Sequence, residues 1–584
     1  MADRSTTPPE PVPPAQPSPE APPSLDDPQP YAPAPHAFPE GPQTFPEGPH
    51  SLESPQSLED PQPLSEPPQP LEDPHQFDDS PQFEDPRAFD HPRAHEDRQA
   101  LPEAPQSGDA PPESPPPRPQ ALVRPPAPGP AASRAPVGTE DAERALVVGL
   151  GRSGQAVARH LLVRGTTVVV VDDAPGDDAR TAAAALGLVI VERPTTETLA
   201  DMVVRTDVVV PSPGVPAGHP VYRLARAAGV AIRGEVELAA RWSICPLVAV
   251  TGTNGKTTVT SLIAEMLSAS GVPALAAGNI GLPLCDAVED DALKVVVAEV
   301  SSFQLAFAES FRPIVAVWLN LAADHLDWHG SLDAYVAAKA RIWARQGPSD
   351  VAVVNADDPI VMAQARSAPS QVVTFGLASA NVDYGVVDGR LRGPSGSLLE
   401  VARLPRSMPH DVANALAASA AALAAGATVE GVRRALLGFA PLPHRLTLVG
   451  YAGGVRWYDD SKATNPHAAV AAITGFDSVV LIAGGRNKGL DLSALASVAD
   501  RVRAVVAIGE AAPEVTAAFA GLRPVRTASS MAEAVTAAAE VARTGDVVLL
   551  SPGCASFDWY RSYAARGDDF ALAVHALLEA QHAD

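Results

Sequence analysis

The sequence predicts an α/β protein of three consecutive units, preceded by a long extension that stays disordered. Three observations carry that expectation. Composition changes abruptly near residue 141, where a Pro-rich acidic stretch gives way to ALVVGLGRSGQAVARHLLVRGTTVVVVDD, which reads as strand, glycine turn, helix and strand. A second apolar run at 247–250 breaks into a small-residue loop closed by Gly255, Lys256 and Thr257. Beyond PLPHR at 441–445, apolar runs at 479–483, 505–508 and 547–550 alternate with helical patterns.

The extension accounts for much of the chain's bulk chemistry. Of 584 residues and a formal charge of −26, positions 1–140 hold 40 of the 62 prolines and −17 of the charge. A loose PQ-x-L/F-E-D-P repetition runs through 54–86. So few aliphatic side chains cannot offset the entropy of ordering, so this segment is expected to be disordered and extended. Its PxxP stretches suit a protein partner; a purely solvating tail is the alternative. The acidic balance argues against nucleic acid or an anionic membrane as the main partner. Three widely spaced cysteines, Cys245, Cys285 and Cys554, form no metal or disulfide pattern, which points to a reducing compartment. The N-terminus lacks the basic-then-apolar pattern of a signal peptide, and no run approaches the ~18 apolar residues of a membrane span. A cytoplasmic protein is expected.

The first unit, 141–243, carries Gly149, Gly151 and Gly154 as GxGxxG, with Asp172 closing the next strand about 20 residues on. That is the dinucleotide fingerprint, and the same geometry serves any ligand whose diphosphate rests on a helix N-terminus. An apolar run at 208–210 before Ser212, Pro213 and Gly214, and a helix near 236–242, complete a parallel-sheet unit.

The second unit, 244–443, opens with the phosphate loop Thr251-Gly252-Thr253-Asn254-Gly255-Lys256-Thr257-Thr258. Backbone N–H groups and a helix N-terminus can surround nucleotide phosphates, Lys256 supplies a cation, and the Thr257 hydroxyl can reach Mg²⁺. Val250 stands where the usual first glycine would be, so Gly252 must make the turn. Glu299 ends a buried strand at 295–300, where an acid can hold Mg²⁺; Asp324 and His325 follow the strand at 314–319. All should meet at one carboxyl edge of the sheet.

Lysine usage sharpens the picture. The chain has five lysines, Lys256, Lys294, Lys339, Lys462 and Lys488, against 38 arginines. Positions that keep lysine are then candidates for a compact charge or for an amine that must lose its proton. Lys339 lies in LDAYVAAKARIWAR, where a helix would place Tyr335, Val336, Ile342 and Trp343 around it. Burial there lowers the amine's pKa and yields a neutral nucleophile; snorkelling from the edge of the apolar face is the alternative. In the third unit, 444–584, DDSKATNP, GGRNKG and SPGCASFDWY put Lys462, Thr464, Asn465, Lys488 and Ser556 at strand ends. These groups suit a carboxylate ligand, and each loop is equally explained as a helix cap.

With those motifs in place, the stretch from about 141 to 584 resembles the Mur ligase family. TGTNGKTT is shared with folylpolyglutamate synthases, whereas GLGRSG, EVSSFQL, DDSKATNP, GGRNKG and SPGCASFD are specific to the branch that adds D-glutamate to UDP-N-acetylmuramoyl-L-alanine. The resemblance implies a Rossmann-like N-terminal domain, a P-loop-type central ATPase domain and a Rossmann-like C-terminal domain. It also implies ATP and Mg²⁺ as cofactors, a two-step reaction through an acyl phosphate, and a role in peptidoglycan precursor synthesis. Carried over position by position, Gly252, Thr253, Asn254, Gly255, Lys256, Thr257 and Thr258 would handle ATP phosphates, with Asn414, Arg445 and Asp460 near adenosine. Arg152, Ser153, Asp172, Gly214, Asn279 and His325 would serve the UDP-sugar. Lys462, Thr464, Lys488, Ser556 and Tyr563 would face the amino acid. Thr257, Glu299, His325 and Lys339, the last as a carbamate, would serve the metal sites, and Lys256, Glu299, His325 and Lys339 the catalysis. Asp411 replaces an asparagine common near adenine, and Tyr563 replaces a phenylalanine. The competing readings are a family ligase for another amino acid such as L-glutamate, an NAD-dependent oxidoreductase resting on GLGRSG alone, and a non-catalytic scaffold using the acidic tail.

Overall fold

The computed structural model describes residues 143–379 and 381–583; the expected disordered extension at 1–140 lies outside them. Three α/β sheets follow one another along the chain. The first has five parallel strands in the order Ile190–Glu192, Thr167–Asp172, Arg144–Val148, Val208–Pro211, Ala231–Ile232. The order in which strands are added reverses beside Arg144–Val148, so the loops after it and after Val208–Pro211 diverge and leave a crevice.

The second sheet has six parallel strands in the order Gln371–Phe375, Val351–Asn355, Val315–Trp318, Leu247–Thr251, Val295–Glu299, Ala274–Gly278. Leu247–Thr251 is buried at every position, as an unbroken apolar run flanked by strands on both sides requires. The Ala-rich helix Pro409–Ala424 packs beside Lys256–Ala269, and its alanines allow close approach over the sheet. Along the chain, between Gln371–Phe375 and helix Pro409–Ala424, comes an antiparallel meander, Gly385–Val387, Arg390–Gly393 and Gly396–Glu400, which the sequence reading missed because its strands are short and rich in Gly and Arg.

The third sheet runs Thr447–Ala452, Val455–Asp459, Val547–Leu550, Val479–Gly484, Val502–Ile508, Val525–Ala528. Only its first pair is antiparallel. That hairpin, turned at Gly453 and Gly454 with both φ positive, was also absent from the sequence reading. Around Lys339 the structure corrects the expected helix, which spans Leu332–Ala340 only. Ile342 and Trp343 lie in tight turns beyond it, where N–H groups bond carbonyls three residues back, yet both remain buried.

Candidate active site

The crevice of the first sheet opens as a cleft of about 590 Å³. Gly149, Gly151, Arg152, Ser153, Asp172, Gly214 and Asn279 all line it. Gly149 adopts φ +82°, and a Cβ on Gly154 would stand 2.1 Å from the Gly149 carbonyl oxygen, so the first turn of helix Arg152–Val163 needs glycine. Asp172 accepts from the Leu150 N–H at 2.8 Å and from Ala174 N–H at 3.0 Å, which fixes the turn. Arg152 donates to the Gly281 carbonyl at 2.7 Å, joining the first unit to the second across the cleft.

The phosphate loop is held from behind by Asn320, whose side-chain oxygen accepts from Thr253 N–H at 3.1 Å and Asn254 N–H at 2.9 Å. Gly252 (φ +152°) and Gly255 (φ +85°) make its two sharp turns. A Cβ on Gly255 would meet the Asn414 side chain at 2.7 Å, which places that asparagine against the loop. Lys256 folds across the loop and donates to the carbonyls of Gly252 and Thr253, both at 3.0 Å. Burial lowers its pKa, opposed by Glu299 and Asp324.

Lys339 is 1% exposed. Its amine donates to the Gly252 carbonyl at 2.8 Å and stands 4.7 Å from the centre of the Tyr335 ring. Burial, and then the charge of Lys256, pushes its pKa well below the ordinary lysine value. Glu299 is buried; one of its oxygens accepts from Asn279 at 2.9 Å and the other has no hydrogen-bond partner. Asn279 therefore serves both the cleft and this carboxylate. His325 sits in the left-handed region at φ +55° with its ring 4.6 Å from Phe303. Burial pulls its pKa down to about 4, despite Asp324, so the imidazole is neutral.

Asn414, Thr258 and Arg445 line a small apolar-floored pocket with Leu262, Leu436 and Phe439. Asp411, the departure noted in the sequence, is paired there with Arg406 through two hydrogen bonds of 2.7 and 2.6 Å. Asp460 lies behind Arg445, accepts from Ser551 at 2.8 Å, and is raised by burial to about 7.

The third unit brings its loops onto this junction. Asn465 donates to Asp324 at 3.2 Å and to the side chain of Asn254 at 3.1 Å, while Asn254 donates back at 3.3 Å. Lys488 reaches Asp324 at 3.4 Å, and Lys462 lies 3.6 Å from the centre of the Tyr563 ring. Ser556 is buried and Thr464 half-buried on neighbouring loops. Among the described residues, no three His, Cys, Asp or Glu side chains gather as a ready metal cluster.

Comparison with known proteins decides the family. Residues 143–234 match the Mur ligase MurD-like N-terminal domain, 250–422 the Mur ligase middle domain, and 444–554 the Mur ligase glutamate ligase domain. The chain belongs to the Mur ligase family. A relative from Frankia casuarinae named UDP-N-acetylmuramoylalanine--D-glutamate ligase is 47% identical over 446 residues, covering 74% of this chain and 93% of its own. A relative of the same name from Desulfosudis oleivorans is 45% identical, covering 77% and 99%. A pseudomurein peptide ligase type C from Methanothermus fervidus superposes with TM-score 0.50 at 18% identity, covering 74% of this chain and 99% of its own, which shows a shared fold.

In this Mur ligase several side chains at the junction received no role from sequence. Asn320 and Tyr335 brace the phosphate loop, the latter through a 3.2 Å contact between its hydroxyl and that of Thr253. His444, in the left-handed region, bonds Asp459 at 2.6 Å. Arg566 is 1% exposed within the third unit. Only Asn465 carried a legible signal, as the Asn before Pro that caps helix Pro466–Ile473. No helix among the described residues is long and apolar enough to cross a membrane.

Proposed function

We propose that this Mur ligase joins D-glutamate to UDP-N-acetylmuramoyl-L-alanine at the expense of ATP, giving an amide, ADP and phosphate. The observation that carries the reading is electrostatic convergence. Lys256 senses Glu299, Asp324, Arg445 and Lys462, and His325 senses Lys488, Lys256 and Lys339, so four of the five lysines act on one junction. Both leading relatives carry the name of that activity.

The sugar nucleotide's diphosphate suits the glycine turn and the N-terminus of helix Arg152–Val163, and its alanyl carboxylate extends along the cleft past Asn279 toward Glu299. ATP suits the phosphate loop, with adenosine in the pocket of Asn414 and Arg445. A carboxylate oxygen attacks the γ-phosphorus and ADP leaves, which converts a poor electrophile into an acyl phosphate. The amine of glutamate then attacks the carbonyl carbon; phosphate departs with the C–O electron pair as the tetrahedral centre collapses and the amine proton is released. Lys256 balances phosphate charge, and the lysines of the third unit hold the two glutamate carboxylates within reach.

The residues present fit Mg²⁺: a buried Glu299 oxygen without a partner, the neutral His325 ring and the Thr257 hydroxyl at the helix N-terminus. When bound, the ion would offset the crowding of anionic oxygens. Lys339, a buried amine of lowered pKa, suits carbamate formation, in which its nitrogen bonds the carbon of CO₂ and loses a proton. Use of ATP accords with the cytoplasmic setting expected from sequence.

The test is phosphate release from ATP by the purified chain with UDP-N-acetylmuramoyl-L-alanine and a panel of amino acids. Release with D-glutamate and not L-glutamate is expected. Release with another amino acid would move the chain elsewhere in the family, and no release with any would overturn the reading.

A further inference from the structure

We propose that Arg566 is the positioning residue of the amino-acid subsite, holding as one rigid unit the loops that carry Lys462, Thr464 and Ser556. The proposal rests on the ligase reading above. Arg566 belongs to helix Tyr563–Ala583 and is almost completely buried, yet none of its guanidinium hydrogen bonds goes to a carboxylate. Its Nε donates to the Ser461 hydroxyl at 2.9 Å and its Nη2 to the Ser461 carbonyl at 2.8 Å. Its Nη1 donates to the carbonyls of Cys554 and Ala555 at 3.1 and 3.3 Å.

Those acceptors are adjacent in sequence to the residues that face the amino acid. Ser461 precedes Lys462, and Ala555 precedes Ser556. The Ser461 hydroxyl in turn donates to the Tyr563 carbonyl at 2.8 Å, tying in the ring on which Lys462 rests. The loop carrying Lys488 is drawn in as well. Gly485 approaches so closely, at φ +130°, that a Cβ would lie 2.3 Å from the Ala555 oxygen and 3.0 Å from Nη1 of Arg566. One planar fork with five donors addresses two loops at once at a fixed spacing, which a compact ammonium does not provide.

A buried cation whose hydrogen bonds all go to neutral oxygens, with Asp558 and Asp459 favouring its charge only through space, is expensive for a fold. Desolvation lowers the Arg566 pKa to about 10, which leaves the group charged at neutral pH. An apolar side chain of similar volume would leave the Ser461 and Cys554 carbonyls without these donors, so the fork is what ties the two loops together. A dicarboxylate substrate beside these loops requires them at a fixed separation. The fork then sets the distance between the lysine that meets one carboxylate and the serine that meets the other.

The test is steady-state kinetics on full-length Arg566→Lys, Arg566→Met and Ser461→Ala, varying each of the three substrates, with thermal unfolding of each variant. We expect Arg566→Met and Arg566→Lys to raise KM for D-glutamate at least ~tenfold while KM for ATP and for the sugar nucleotide stays within about twofold. Ser461→Ala, which removes one acceptor, is expected to raise the same KM by about threefold and to report on the fork should both Arg566 variants fail to fold. Lowered kcat with all three KM values unchanged would mark a purely structural role and overturn the proposal. So would an Arg566→Lys enzyme with wild-type KM for glutamate. Absence of glutamate-dependent turnover in the wild-type chain would instead overturn the ligase reading, so the two failures are distinguishable.

Discussion

The cleft of the first unit and the phosphate-loop junction are built on opposite plans. The cleft is shaped largely by backbone, with glycines and prolines around a wide opening edged by Arg152, Ser153 and Asn279 and with Asp172 holding its turn. The junction is made of side chains: Lys256, Lys339, Glu299, His325 and Asp324 crowd together, several of them desolvated and drawn from separate segments. A main-chain cradle binds a ligand whose charge is fixed. A side-chain cluster with shifted pKa values manages charge that changes during the reaction.

Four predictions test that contrast. The largest effect is expected from Lys339→Met, which should lower kcat by at least ~10³-fold while leaving the unfolding midpoint equal to or above that of the wild type. A desolvated amine is there replaced by an apolar chain of similar volume, and equal turnover would remove Lys339 from the chemistry. Gly154→Ala should act on the cleft instead, destabilising the protein by about 2–4 kcal/mol and raising KM for the sugar nucleotide without changing KM for ATP. Differential scanning calorimetry with substrate titrations would decide it.

Asp460→Asn probes the charge economy of the junction. Burial raises the Asp460 pKa from 3.8 to about 7, with Arg445 and Arg406 favouring and Asp459 opposing its charge. The folded state therefore keeps a proton that the unfolded chain has released, and wild-type stability falls as pH rises from about 4 through about 7. The variant's stability relative to wild type should be greater at pH 8 than at pH 5 by about 2–3 kcal/mol, measured by denaturant unfolding. A pH-independent difference would mean that Asp460 is ionised throughout. The smallest effect is expected from Asn465→Ser, which keeps the helix cap but loses the reach to Asn254 and Asp324. It should lower kcat about tenfold and shift the unfolding midpoint by no more than a few degrees.

Legibility in the sequence follows the same division. Gly149, Gly151, Arg152, Ser153, Asp172 and the SPG residues line the opening, with Gly154 packed behind the turn, because a local motif fixes a local backbone shape. The strand and phosphate loop at 247–258 were readable for the same reason. At the junction, scarcity of lysine pointed to Lys339, and its burial on a short helix agrees with the lowered pKa argued from its neighbours. What stayed hidden depends on contact between distant segments. Asn320 acts on residues 66 positions away, and Arg566 on Ser461 across 105. No pattern of period 2 or 3.6 records such pairings. The meander at 385–400 was missed for a different reason, since Gly and Arg obscure the alternation of a strand.

The paired amides of Asn254 and Asn465 have a kinetic consequence. Each side chain both gives and receives a hydrogen bond, while Asn465 also donates to the Asp324 carboxylate and Asn254 also meets the His467 ring at 3.0 Å. Two such bonds contribute about 1–3 kcal/mol net, a contact that thermal motion opens many times within one catalytic cycle. Lifting the third unit from the phosphate loop to free its products must also part Lys488 from Asp324. Where that lifting limits turnover, the rate will rise across a salt series as this ion pair is screened.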